Sequence, residues 1–224
     1  MKSLFFFLIF LFLSFFISAQ EYLEGVLWIS IDPVDPLEME QVPLDDYALA
    51  VSMKQEVLEY FSGMIYGYSF RYVPWDIARG IDEELEVVLL GSINPQDPGL
   101  RVMESWVDWE NNRFYGRFRY YLTEASRGWI HSWSRSTHRP LGGLGYSDPG
   151  ERDIMRDESF ERAIRNGVRE YLRQLEYNKP REISGVLALR EFPNLQMEAG
   201  RFRARVNFRF QEKEVRDMFR DRSF

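Results

Sequence analysis

Catalytic chemistry in this chain would have to be built around two histidines and a run of hydroxyls. His131 and His138 stand seven residues apart, with Ser132, Ser134, Ser136 and Thr137 between them, and Asp148, Glu151 and Asp153 follow. A histidine here could take the proton of a neighbouring serine while Asp148 orients the ring. Alternatively, two imidazoles and a carboxylate could hold a metal with one position open. Neither spacing singles out a chemistry, because seven residues on a loop do not aim two rings at one point. The chain lacks a glycine-rich phosphate loop between a strand and a helix, a Gly-x-Ser-x-Gly elbow and a His-Glu-x-x-His pair. Asp82, Glu83 and Glu84 are sequence neighbours, which suits a solvated turn and not two acids facing each other across a cleft. No cofactor and no metal set is implied.

Binding chemistry has more material. Arg113, Arg117 and Arg119 alternate with apolar residues in one segment, and Arg201, Arg203, Arg205 and Arg209 do so in another. Placed side by side in one sheet, these arginines would form a basic stripe on a chain of net charge −7. Bidentate guanidinium contacts would suit an acidic envelope protein or a carboxylate- or phosphate-bearing polymer. A plain solvated sheet face with acids such as Glu182 or Glu198 across the ladder is the alternative. Six tryptophans add aromatic surface, of which Trp129 and Trp133 fall in the same segment as the histidines; Trp platforms stack sugars or anchor partners. Trp106 and Trp109 point to opposite faces of one strand, so one of them should lie off the main core.

The elements that must position these residues follow from periodicity. A first strand starts at Tyr22, with Leu23, Gly25, Leu27, Ile29 and Ile31 on one face. A proline-rich connector runs to Pro43. A helix follows, with Gly63 ending it, and then an aromatic strand over residues 64–73 stopped by Pro74. Residues 84–90 form another strand, and residues 100–109 and 113–122 flank a turn at Glu110-Asn111-Asn112 as a hairpin. Residues 126–150 carry no clear periodicity and read as a long loop. Phe160, Ala163, Ile164, Gly167, Val168, Tyr171, Leu172 and Leu175 make one helical stripe, with Arg162, Arg165, Arg169 and Arg173 opposite. Strands over 183–192 and 201–210 close the chain, and the tail from Gln211 reads as frayed helix or coil.

The segments 113–122 and 201–210 share an order of large and small apolar residues. Each follows a helix and a strand ending in Arg-x-x-Pro, Arg71 to Pro74 and Arg190 to Pro193. This predicts an α+β fold: an antiparallel sheet built from two diverged helix–strand–strand units, over 44–123 and 153–210, with two main helices packed on one face. The loop 124–152 joins them, and 44–224 forms one domain after an N-terminal strand and connector over 20–43.

The first 19 residues set the compartment. Lys2 is followed by an apolar run from Leu4 to Ile17 broken only by Ser14, and Ala19 offers a small residue for cleavage. The run is shorter than the roughly 20 residues that span a bilayer, so it reads as a secretory signal. Cleavage after Ala19 removes Lys2 and takes the net charge from −7 to −8. With no cysteine, neither acylation nor a disulfide is available, and no second apolar run offers a membrane span. The composition, 45% hydrophobic and 16% aromatic, is that of a packed protein. Net negative charge and export argue against nucleic acid as a partner.

The stretch from Phe160 through Lys179-Pro180 to Phe210 resembles uncharacterised exported proteins of spirochaete-type bacteria. More distantly it is similar to small α/β modules of periplasmic flagellar-assembly and envelope lipoproteins. The resemblance implies an envelope scaffold or assembly role and carries over no functional residue. The leading expectation is therefore an exported cell-envelope structural or interaction protein, in the periplasm or secreted. An envelope hydrolase or metal-dependent enzyme using His131, His138 and Asp148 is one alternative, and a carbohydrate-binding domain with exposed Trp is the other. Oligomeric state is not legible.

Overall fold

The computed structural model describes residues 22–31, 46–135, 137–149, 152–175 and 180–216. The expected signal over 1–19, most of the connector to Pro43, Ser136, Glu151 and the side chain of Asp153 lie outside these residues. The elements in chain order are β1 (Tyr22–Ser30), α1 (Asp46–Ser52), α2 (Lys54–Ile65), β2 (Tyr68–Val73), β3 (Glu84–Leu89), β4 (Leu100–Asp108), β5 (Arg113–Tyr121), α3 (Glu124–Ser132), β6 (Arg139–Tyr146), α4 (Arg152–Leu175), β7 (Glu182–Leu189), β8 (Asn194–Glu198) and β9 (Arg201–Arg216). The fold is α+β, and every strand pair is antiparallel. Sheet A has the order β1-β5-β4. Sheet B runs β3-β2-β7-β9-β6, with β8 added to the same side of β9 as β7.

Strict alternation along β9 buries Phe202, Ala204, Val206, Phe208 and Phe210, each with no exposed surface. The apolar stripe of α4 lies on that face: Ala163, Ile164 and Val168 are fully buried, and the Tyr171 ring meets Phe210 at 4.9 Å. Glycine in β6 lets the helix come closer than side chains would. A Cβ on Gly143 would sit 1.8 Å from the Ala163 carbonyl oxygen, and one on Gly145 would sit 2.2 Å from that of Ser159. The second long helix, α2, meets α4 through Tyr60 and Phe160, 5.4 Å apart. Its Phe61 packs against Tyr120 of sheet A and Phe192 of the β7–β8 connection. One apolar cluster thus runs from the inner face of sheet A (Leu23, Leu27, Phe114, Phe118) through α2 to sheet B.

Polar contacts fix how α4 is seated. Arg156, 5% exposed, donates to Glu56 of α2 (2.5 Å) and to the Trp28 carbonyl (2.9 Å). Burial raises the Glu56 pKa even against the pull of this guanidinium. Further along, Glu83 accepts from Arg169 (Nε, 2.9 Å) and from the Tyr72 hydroxyl (2.6 Å). Burial pushes the Glu83 carboxyl upward, but these donors outweigh it and hold the pKa below the usual range, while the Tyr72 hydroxyl, buried beside that carboxylate, is pushed up to about 12.

Several sequence expectations are corrected. Residues 126–150 are not a loop: they hold most of α3 and all of β6. Gly63 does not end its helix. It sits inside α2 because a Cβ there would strike the Tyr68 ring, with 2.2 Å to its hydroxyl, and the strand consequently starts at Tyr68 and not at 64. The tail from Gln211 continues β9 as far as Arg216, paired with β7. The two helix–strand–strand runs meet at the β2–β7 pair, flanked by β3 and β9. The counterpart of β9 by position is therefore β3; β5 belongs to the other sheet.

Candidate functional site

The histidine constellation is not assembled. His131 is exposed at the end of α3. His138 is half-buried with its ring edge-on to Trp133 at 5.0 Å. Burial, then the charges of Arg135 and Arg209, lower the His138 pKa. Asp148 follows the far end of β6 and binds Arg162 of α4 (2.6 Å), a contact that holds its carboxyl below the usual range. Eight residues of β6 lie between His138 and Asp148, which at ~3.3 Å per residue keeps them roughly 25 Å apart. Asp148 also belongs to the α4 side of sheet B, whereas Trp133 and His138 pack beneath the opposite side. Among the described residues no group of three or more His, Asp or Glu could hold a metal ion.

The seven arginines do not form one stripe, because β5 and β9 lie in different sheets. On the outer face of sheet A, Arg113 lies 4.1 Å over the Trp28 ring, Arg117 pairs with Glu104 (3.3 Å), and Arg119 pairs with Glu24 (2.5 Å). On the outer face of sheet B, Arg203 is held by Glu198 (3.0 Å), and Arg201 is exposed near Asp148, whose pKa its charge helps to lower. Arg205 and Arg209 share the outward phase of β9 with Asn207 between them, and Arg190 continues the same phase of β7. Among the described residues none of these three makes an ion pair.

The tryptophans divide. Trp133 is 7% exposed, donates to the Ile65 carbonyl (3.0 Å) and packs on Val186 and Ala188, so it is core and not a platform. Trp129 is 48% exposed, with one edge against Tyr66. Trp109 is exposed beyond the end of β4, while Trp106 stacks flat on Tyr115 (5.1 Å, 2°) on the outer face of sheet A.

Sequence reasoning missed a groove of about 760 Å³ between β1 and β8. Its walls are Glu24 and Val26 of β1 and Gln196 and Met197 of β8; Phe192 lies beneath, and Trp28, Arg113 and Tyr115 form one end. Trp28 is 5% exposed, stacks on Phe202 (5.3 Å, 14°) and donates from Nε1 to the Leu195 carbonyl (2.9 Å). The one available signal was phase: Trp28 and Tyr115 occupy the outward phase of their strands, which also carries Glu24, Arg113, Arg117 and Arg119. Aromatic residues there need a second surface to cover them.

Fold and site together define a two-sheet α+β protein with an arginine-bearing outer face on sheet B and an aromatic-lined groove between β1 and β8. A protein-family model matches residues 16–218, and the chain belongs to that family. It is similar to an uncharacterised protein of Treponema pallidum (strain Nichols), 21% identical over 181 residues, covering 81% of this chain and 75% of that one. No solved structure matches. No helix among the described residues is long and apolar enough to cross a membrane.

Proposed function

We propose that this is an exported cell-envelope interaction protein that captures an acidic partner, a protein or a polymer, on the outer face of sheet B. The observation that carries this reading is the set Arg190, Arg205 and Arg209: guanidinium groups left without ion pairs among the described residues, on a chain of net charge −7. Elsewhere on the two arginine-rich strands most guanidinium groups are already engaged by Glu24, Glu104, Glu198 or an aromatic ring. Arg205 and Arg209 stand on one strand, Arg190 follows the end of its neighbour β7, and guanidinium groups make bidentate contacts to carboxylates or phosphates. The leader-like first 19 residues support export, and the likeness to an uncharacterised Treponema pallidum protein is consistent with a spirochaete-type protein.

The test uses the mature native chain and two probes, polyglutamate and polyphosphate, read by fluorescence anisotropy at several ionic strengths. Binding that weakens with salt and is lost in the double variant R205E/R209E is the expected result. Binding equal to wild type in that variant refutes the assignment. N-terminal mass spectrometry of the native protein should find Gln20 as the first residue; an intact Met1 refutes export by cleavage.

A further inference from the structure

The groove holds more than side chains, because it lies between two strand edges that no strand among the described residues pairs. The Ile31 amide donates to Asn112 (2.9 Å), so the hydrogen-bonded β1–β5 pairs are those at Ile29, Leu27, Gly25 and Leu23. The residues between them, Glu24, Val26 and Trp28, therefore turn their amides and carbonyls away from β5. The Trp28 carbonyl agrees, since it accepts from Arg156. On the other wall, Phe202 exchanges hydrogen bonds with Ser147, its amide donating to Oγ (3.1 Å) and its carbonyl accepting from the Ser147 amide (2.9 Å). Its partner on β8, Met197, and by alternation Leu195, thus turn their polar groups outward too. The Leu195 carbonyl is the one capped by the Trp28 indole.

At one end of the groove an edge group on each side is therefore taken, the Leu195 carbonyl by the Trp28 indole and the Trp28 carbonyl by Arg156. Beyond it, Glu24, Val26 and Met197 present amides and carbonyls that no strand among the described residues pairs. Among the described residues β1 and β8 do not pair with each other, although both line the groove.

We propose that the groove between β1 and β8 is a strand-addition site for an extended partner segment carrying an acidic residue. The main chain of that segment pairs with Glu24 and Val26 on one side and Met197 on the other. Its alternate side chains meet Tyr115 and Met197. An acidic side chain answers Arg113, which lies over Trp28, contacts the Tyr115 hydroxyl (3.4 Å) and has no carboxylate within ion-pair distance among the described residues. The two acids at the groove are already held, Glu24 by Arg119 and Glu191 by Asn207.

The probe is a display library of random twelve-residue peptides panned on the mature native protein. Enriched peptides should alternate apolar residues around one Asp or Glu, and their binding should slow hydrogen exchange at the Glu24 and Val26 amides. N-methylating alternate amides of a selected peptide should weaken it about tenfold or more, with the protein unchanged. Val26→Pro removes only an edge donor and should weaken capture to the same degree, while R113Q should matter only for peptides that keep their acid. No enrichment, or capture indifferent to N-methylation, overturns the proposal. Neither Val26 nor Arg113 belongs to the β9 face, so this failure and that of the basic-face reading are separable.

Discussion

Replacing Gly143 by Ala should unseat the helix that covers sheet B. The added Cβ would lie 1.8 Å from the Ala163 carbonyl oxygen, 2.7 Å from its carbon and 3.0 Å from the Gly167 nitrogen. All three are backbone atoms of α4, so no rotamer change relieves the clash. Reaching an ordinary 3.4 Å contact requires the helix to move out by about 1.6 Å. That lift would open the space under Ile164 and Val168, both fully buried. Overpacking costs ~1–3 kcal/mol, and a backbone-on-backbone clash belongs at the top of that range, ~3 kcal/mol. For a chain of this size that corresponds to a drop of roughly 6–12 °C in Tm. Gly128→Ala is the matched control, since nothing lies within 4 Å of a Cβ there, and in mid-helix it should gain up to ~1 kcal/mol. Calorimetry on the two variants gives the comparison. A Gly143→Ala protein melting within about 2 °C of wild type would show that the close approach of α4 to β6 is not what seats the helix.

Glu83 should report on acid stability. Its depressed pKa means its contribution is present above the unfolded carboxyl value of ~4.3 and is lost as pH falls through the lower folded value. E83Q should cost ~1–3 kcal/mol at pH 7 by urea titration, and the difference from wild type should shrink at pH 2.5; an equal difference at both would refute the clamp. His138 should titrate below 6.5 by NMR, and R209Q should move its midpoint upward, because that removes one of the two cations facing it. A midpoint unmoved by R209Q would mean that Arg209 does not face this ring.

Legibility in the sequence followed the range of the interaction. The stripe of α4, the β4–β5 hairpin and the alternation of β9 could be read directly because each is a local period set against one buried face. The stretch over 126–150 could not. Gly143 and Gly145 look like loop punctuation until the backbone of α4 is seen resting on them. Gly63 misled in the same way, since the partner it makes room for, Tyr68, is only visible once the chain has turned back. The arginine spacing predicted outward phase correctly on both strands, yet the stripe drawn from it required β5 and β9 to share a sheet.

What the amino-acid order alone determined is the class of fold, the faces of its main helices and strands, the lack of cysteine chemistry and the leader-like start. Tertiary structure alone decided which strands are neighbours, and with that which arginines are spent on Glu24, Glu104 and Glu198 and which make no ion pair among the described residues. It also decided that Trp28 stands at a groove between β1 and β8, whose outer edges no strand among the described residues pairs. Strand pairing is a contact between residues far apart in the chain, such as Phe70 of β2 and Gly185 of β7. The alternation of a strand specifies which face it buries but says nothing about which strand lies beside it.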